Sequence, residues 1–125
     1  MNFETLSRRR YSLRSFSKEN VEPEKMNLIL EAAIKSPTAA NLQPQRLFVI
    51  NSEKSLNRLK ECLVSDFEPP AVIVVAYEKE AAWCRKKDDT NYGVVDASIC
   101  ASSIMLQAAE SGWERCVWLV SMMIA

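Results

Sequence analysis

The sequence predicts one mixed α/β or α+β domain in which helices pack on a layered sheet. Apolar residues recur at three- and four-residue spacing from Val21 towards Pro37 and from Val94 to Ser111, which is typical of helices with one buried face. Ala71 to Ala76 is a continuous apolar run, as expected of a central strand covered on both faces. In chain order the segments are helix, helix, strand, helix, strand, helix and strand, a succession that indicates a layered domain.

The first half of the chain is predicted to contain the first three helices and one strand. Residues 2–9 form a short helix capped by Asn2, and a second helix has Pro23 in its first turn. A strand follows over residues 46–50, and Ser52 caps a third helix. On the second and third helices we expect these side chains to face inward: Met26, Ile29, Leu30, Ala33, Ile34, Leu56, Leu59, Cys62 and Leu63.

The second half is predicted to hold a long helix between two strands. Residues 83–91 are polar and charged, which favours a solvated loop or a short helix over a strand. The helix over 94–111 carries small residues, so it can pack closely on a neighbour or on its own twin, and Gly112 ends it. A last strand starts at Cys116. Because residues 116–125 are apolar except for Ser121, we expect a second subunit to cover this strand, or the chain to be a shortened form.

Composition narrows the class of function. The 125 residues fit a single domain over 1–125, and 16 basic residues balance 16 acidic ones, so no net charge draws the chain to nucleic acid or an anionic membrane. With no signal peptide and no membrane-spanning run, we expect a cytoplasmic protein whose four cysteines are reduced thiols. The absence of histidine excludes a Ser-His-Asp triad and most zinc sites, and no metal is expected.

Two segments carry the candidate chemistry. The first is basic, Arg8-Arg9-Arg10-Tyr11-Ser12-Leu13-Arg14, and is either a solvated helix end or an anion site. In an extended segment, alternate side chains would direct Arg10, Ser12 and Arg14 to one anion. The second runs from Ser36 to Pro44 and is either a plain connection or a small-residue loop whose amides, Asn41 and Gln43, contact a polar ring. Together the two segments suggest a flat, phosphorylated cofactor.

The two segments also carry a family resemblance. Arg10-Tyr11-Ser12-Leu13-Arg14-Ser15-Phe16 resembles the opening motif of the FMN-dependent nitroreductase family. Ser36-Pro37-Thr38-Ala39-Ala40-Asn41-Leu42-Gln43-Pro44 resembles its second flavin motif. Asp96-Ala97-Ser98-Ile99 and the segment from Met105 to Gly112 resemble the long central helix of that family.

This resemblance implies an α+β sandwich, a central sheet flanked by helices, that forms a homodimer with FMN at the interface. It implies ping-pong electron transfer from NADH or NADPH to a small-molecule acceptor, namely a nitroaromatic, a quinone or an enone. No side chain is then catalytic, because the flavin carries the chemistry. By matched position, the ribityl-phosphate and pyrimidine side of FMN would be contacted by Arg10, Ser12 and Arg14. Asn41 and Gln43 would contact the isoalloxazine ring. The opposite subunit would line this ring with Pro37, Thr38 and Ala39.

The chain departs from the family after Gly112. The family continues with a glycine-rich turn, a strand and further segments that contain phosphate-contacting basic residues, whereas this chain runs from Trp113 to Ala125. We therefore expect a C-terminally shortened member. Two alternatives stay open: a non-catalytic flavin or nucleotide binder, and an interaction module that only dimerises.

Overall fold

The computed structural model describes residues 1–62, 68–113 and 117–121. Both helices and strands occur along these ranges, which confirms the α+β prediction. The helices are α1 (Phe3–Arg9), α2 (Pro23–Ile34), α3 (Glu53–Cys62) and α4 (Gly93–Glu110). The strands are β1 (Gln45–Ile50), β2 (Ala71–Tyr77), β3 (Cys84–Arg85), β4 (Thr90–Asn91) and β5 (Val117–Ser121).

Strand β2 is the centre of the main sheet. It pairs antiparallel with β1, with Gln45 opposite Tyr77, and parallel with β5, with Ala71 opposite Val117. Within the described ranges the strand order is therefore β1-β2-β5. Every residue of β2 is buried, so the prediction of a strand covered on both faces is confirmed.

The core lies where α2 and α4 pack against one face of β2. Ile73 and Val75 of β2 meet Ile29 of α2 and Ile104 of α4 in one buried cluster. Cys100 of α4 is also buried there, and its thiol donates a 3.6 Å hydrogen bond to the carbonyl oxygen of Ala33. Burial raises the pKa of the Cys100 thiol to about 11, so near neutral pH it acts as a small apolar side chain.

The helix ends follow the predicted caps. The Asn2 side chain accepts a 2.9 Å hydrogen bond from the Thr5 N–H at the start of α1. Ser52 does the same for the Ser55 N–H at the start of α3, at 3.3 Å. Gly112 follows α4 with φ of 74°, a left-handed conformation that glycine adopts without strain. No helix in the described ranges has both the length and the apolar character needed to cross a membrane.

Two of the predicted core residues were assigned wrongly. Ile34 is 63% exposed, and Cys62 is exposed as well. Each is the last residue of its helix, and in α2 the buried face ends one residue earlier, at Ala33. After α2 it is Ser36, not Ile34, that occupies the buried position. The prediction for Leu63 lies outside the described residues. Cys62, Cys84 and Cys100 are free, as expected, and the prediction for Cys116 lies outside the described residues.

The segment 83–91 contains a small hairpin, so the prediction of a loop or a short helix was wrong. Cys84 pairs with Asn91 and Arg85 with Thr90 in an antiparallel ladder. A side-chain bond closes the turn, because Arg85 Nε donates to Asp88 Oδ1 at 2.8 Å. The Arg85 guanidinium lowers the pKa of the Asp88 carboxyl to about 2. The hairpin is solvent-exposed, as the charge pattern predicted.

Candidate functional site

The segment from Ser36 to Pro44, here called the 36–44 loop, begins where α2 ends. The buried Ser36 hydroxyl donates a 3.0 Å hydrogen bond to the carbonyl oxygen of Ala32, one turn back in α2. Pro37 follows and disfavours helical geometry at the residue before it. The chain then makes a single 3-10 turn over Ala39–Asn41. The sequence around Pro37 therefore ends α2 at this point, and the chain continues directly into an irregular, tightly turned segment.

The backbone of the 36–44 loop is strained. Among the described residues, four non-glycine residues have positive φ, and three of them lie here: Ala40 at 51°, Asn41 at 55° and Gln43 at 52°. Residues with a Cβ avoid this region, and such conformations persist only where the surroundings enforce them. They cluster at binding sites, so the strain marks this loop as the candidate site.

Hydrogen bonds within the loop bring together three of the predicted site residues. The Gln43 N–H donates to the Thr38 hydroxyl oxygen at 3.0 Å, and Gln43 Nε2 donates to Asn41 Oδ1 at 3.2 Å. The two side-chain amides thus form one exposed unit. This unit still presents the side-chain NH₂ group of Asn41 and the side-chain oxygen of Gln43 to a ligand. Pro37 is exposed and Ala39 half-buried beside this unit.

A charged pair holds the end of the loop against the sheet. Arg46 Nη1 donates to the backbone carbonyl oxygen of Gln43 at 3.2 Å, and the Arg46 guanidinium also pairs with Glu78. The Glu78 N–H in turn donates to the Pro44 carbonyl oxygen at 2.9 Å. The sequence analysis did not identify Arg46 or Glu78. Their indicator is a pair of opposite charges at strand ends, Arg46 near the start of β1 and Glu78 directly after β2.

A buried carboxylate holds the beginning of the loop. Asp96 Oδ1 accepts a 2.8 Å hydrogen bond from the Ala39 N–H, across 57 residues of sequence. Asp96 is 1% exposed and lies in the first turn of α4, where the helix dipole favours a negative charge. Sequence reasoning placed Asp96 on this helix but gave it no role. The indicator was a lone acidic residue on an otherwise small and apolar face.

The basic segment begins in the last turn of α1 and continues into the connection between α1 and α2. The Arg10 N–H closes α1 by donating to the Leu6 carbonyl oxygen at 3.0 Å, and its backbone is extended. Within the described part of the chain, the side chains of Arg10, Ser12 and Arg14 make no hydrogen bond or ion pair, and none bonds to the 36–44 loop. Arg8, by contrast, pairs with Glu4 at 2.7 Å. The convergence of Arg10, Ser12 and Arg14 on one anion stays a prediction.

The predicted site residues carry groups that suit an anionic, ring-bearing ligand. Arg10 and Arg14 offer guanidinium groups that are not engaged elsewhere in the described chain, and the 36–44 loop offers amide donors and acceptors beside small side chains. The described residues include no group of three or more His, Cys, Asp or Glu side chains able to hold a metal ion.

The chain is similar to the proteins of a known family. Residues 7–69 match the profile of the nitroreductase family. A Thermus thermophilus protein named NADH dehydrogenase is 30% identical over 97 residues, which cover 75% of this chain and 47% of that protein.

Two solved structures from Clostridium difficile are similar in fold. A nitroreductase family protein from strain 630 superposes with a TM-score of 0.86 at 38% identity, covering 90% of this chain and 64% of that chain. An FMN-dependent nitroreductase from strain R20291 superposes with a TM-score of 0.73 at 33% identity, covering 86% of this chain and 60% of that chain. The chain thus spans about half to two thirds of the length of the proteins that it resembles.

Proposed function

The chain belongs to the nitroreductase family, and on that premise we propose that it is an FMN-dependent oxidoreductase. It takes electrons from NADH or NADPH and passes them, by a ping-pong mechanism, to a small acceptor such as a nitroaromatic, a quinone or an enone. The observation that carries the proposal is the 36–44 loop, whose strained backbone and hydrogen bonds assemble Thr38, Asn41 and Gln43. The family match, over residues 7–69, includes both this loop and the basic segment.

The residues present fit FMN. Arg10 and Arg14 would hold the phosphate, a group that guanidinium forks bind with charge-assisted hydrogen bonds. Asn41 and Gln43 would contact the polar edge of the ring, and the small side chains beside them would let the ring approach the backbone. When bound, FMN supplies the electron and hydride chemistry, which suits a chain without histidine because hydride transfer to a flavin needs no imidazole.

We further propose that the active form is a homodimer formed through α4. Val95, Ile99 and Met105 are 44%, 37% and 37% exposed, and their spacing places them along one side of the helix. Exposed Ser98 and Ser102 lie between them and allow close approach of a second helix. Exposed apolar rows of this kind mark protein interfaces.

Changing Ile99 to Asp should convert the dimer to a monomer, because a charge would have to be buried at the centre of the interface. Sedimentation velocity over a range of concentrations measures the change. Asn27→Asp, an exposed substitution on α2, is the matched control and should leave the dimer intact. A wild-type chain that sediments as a monomer at all concentrations contradicts the proposed dimer.

A visible absorption spectrum tests the redox function. The purified chain should show flavin bands, as isolated or after adding FMN and removing the excess, and NADH or NADPH added without oxygen should bleach them. Adding a quinone should then restore the bands. Bands that persist with both nicotinamides would indicate a non-catalytic flavin binder. A chain that retains no flavin after reconstitution contradicts the proposal. The remaining alternative is then an interaction module that only dimerises.

A further inference from the structure

Asp96 is the buried charge that touches the candidate site. Its side chain is 1% exposed, and its hydrogen bond to the 36–44 loop is the 2.8 Å contact between Oδ1 and the Ala39 N–H. Ala39 directly precedes Ala40 and Asn41, the first two residues with left-handed backbone. The contact therefore lies where the chain enters its strained conformation, and a charge-assisted hydrogen bond is stronger than a neutral one.

The second carboxylate oxygen makes Asp96 a costly residue to bury. Asp96 Oδ2 is buried and has no hydrogen-bond partner among the described residues, a state that it shares there with Gln45 Oε1 alone. Both residues adjoin the 36–44 loop: Gln45 follows Pro44, and Asp96 binds Ala39. Buried acceptors without partners cost stability, so each one in a folded protein deserves an explanation.

We propose that Asp96 is a positioning residue that locks the 36–44 loop in its ligand-accepting conformation through the Ala39 N–H. This inference rests on the proposed function for the identity of the ligand, FMN, but not for the locking itself. Without the carboxylate, the left-handed residues lose their anchor on the α4 side. The bonds from the loop to the rest of the described chain are then those at its two ends, from Ser36 to α2, from Arg46 to Gln43 and from Glu78 to Pro44. The Asn41 and Gln43 amides would then be spread over several loop conformations.

Three variants separate positioning from general stability. Asp96→Ala removes the acceptor, whereas Asp96→Asn keeps the shape and a neutral acceptor and removes the buried charge. Cys100→Ala, one turn further along α4, is the matched control, because Cys100 is fully buried and bonds to Ala33 rather than to the loop. Each full-length variant is assayed for FMN affinity by flavin fluorescence, for melting temperature, and for hydrogen exchange of the 36–44 peptide without flavin.

The expected results differ between the variants. Asp96→Ala should weaken FMN binding by roughly 10- to 100-fold and speed exchange in the 36–44 peptide. Asp96→Asn should weaken binding by roughly 3- to 10-fold while the melting temperature is unchanged or higher, because a buried charge is removed. Cys100→Ala should lower the melting temperature and leave both the exchange rate of this peptide and the FMN affinity unchanged.

The exchange measurement keeps this inference separate from the proposed function. If the wild-type chain binds no FMN, the proposed function is wrong, and exchange in the flavin-free protein still decides the role of Asp96. Exchange and FMN affinity that change no more in the two Asp96 variants than in Cys100→Ala would overturn the inference. Should Asp96→Ala fail to fold, Asp96→Asn alone decides, because it conserves the shape of the side chain.

Discussion

Replacing both Arg10 and Arg14 with alanine should strip FMN from the protein while leaving the fold intact. Hydrogen bonds to a charged group contribute about 1.5–3 kcal/mol each, so losing both arginines should weaken FMN binding by roughly 100- to 10,000-fold. The fold should tolerate the change, because neither side chain makes a hydrogen bond or ion pair to the rest of the described chain. Fluorescence titration of flavin-free protein with FMN measures the affinity, and circular dichroism measures the melting temperature.

A second double variant controls for nonspecific attraction. Arg8→Ala with Lys18→Ala removes the same charge from the same part of the chain, but Arg8 pairs with Glu4 and Lys18 lies outside the motif. This control should lose little affinity, since exposed charges act on a ligand weakly and through salt-screened attraction. Equal losses in the two double variants would mean that Arg10 and Arg14 make no specific contact, and unchanged affinity in the first would remove them from the site.

Replacing Gly93 with alanine should strongly destabilise the fold. A Cβ built on Gly93 would overlap the Tyr77 ring, lying 2.8 Å from Cγ and still closer to Cδ2 and Cε2. Tyr77 is 6% exposed at the end of β2, so the ring has little room to move. Overpacking of this kind costs about 1–3 kcal/mol or more, which exceeds the roughly 1 kcal/mol that alanine otherwise gains over glycine in a helix. Urea unfolding measures the loss.

A double-mutant cycle isolates the clash. Tyr77→Ala removes the ring and is itself destabilising, because a buried aromatic is lost. In that background Gly93→Ala should be neutral or stabilising, so the two changes should be strongly non-additive. If Gly93→Ala costs the same free energy of unfolding with and without the Tyr77 ring, contact between the two residues is not the cause.

Local patterns in the sequence predicted most of the fold. The apolar run of β2, the periodicity of α2 and α4, and the caps at Asn2, Ser52 and Gly112 all depend on neighbouring residues, which is why they could be identified without coordinates. The hairpin over 84–91 was missed because its strands have two residues each and its turn depends on the Arg85–Asp88 side-chain bond rather than on apolar alternation. Ile34 and Cys62 were misplaced because periodicity does not indicate where a helix leaves the core.

The candidate site was predicted only in part, for a similar reason. The 36–44 loop and its amides were recognisable from their local composition. Its anchors were not, because the bond from Asp96 to Ala39 spans 57 residues and exists only once α4 has packed. The positive φ values of Ala40, Asn41 and Gln43 were also unpredictable, since none of these residues is glycine. The roles assigned to Arg10, Ser12 and Arg14 await the binding measurements.

The topology of the sheet has a consequence for folding order. Strand β1 reaches β2 through the connection that contains α3, but β5 joins β2 in parallel only after α4 has crossed over the sheet. Until then, one edge of β2 presents unpaired backbone groups along an entirely apolar strand. Exposed apolar edges recruit strands from other molecules. During synthesis on the ribosome, we therefore expect this chain to be prone to aggregation in the interval between β2 and β5.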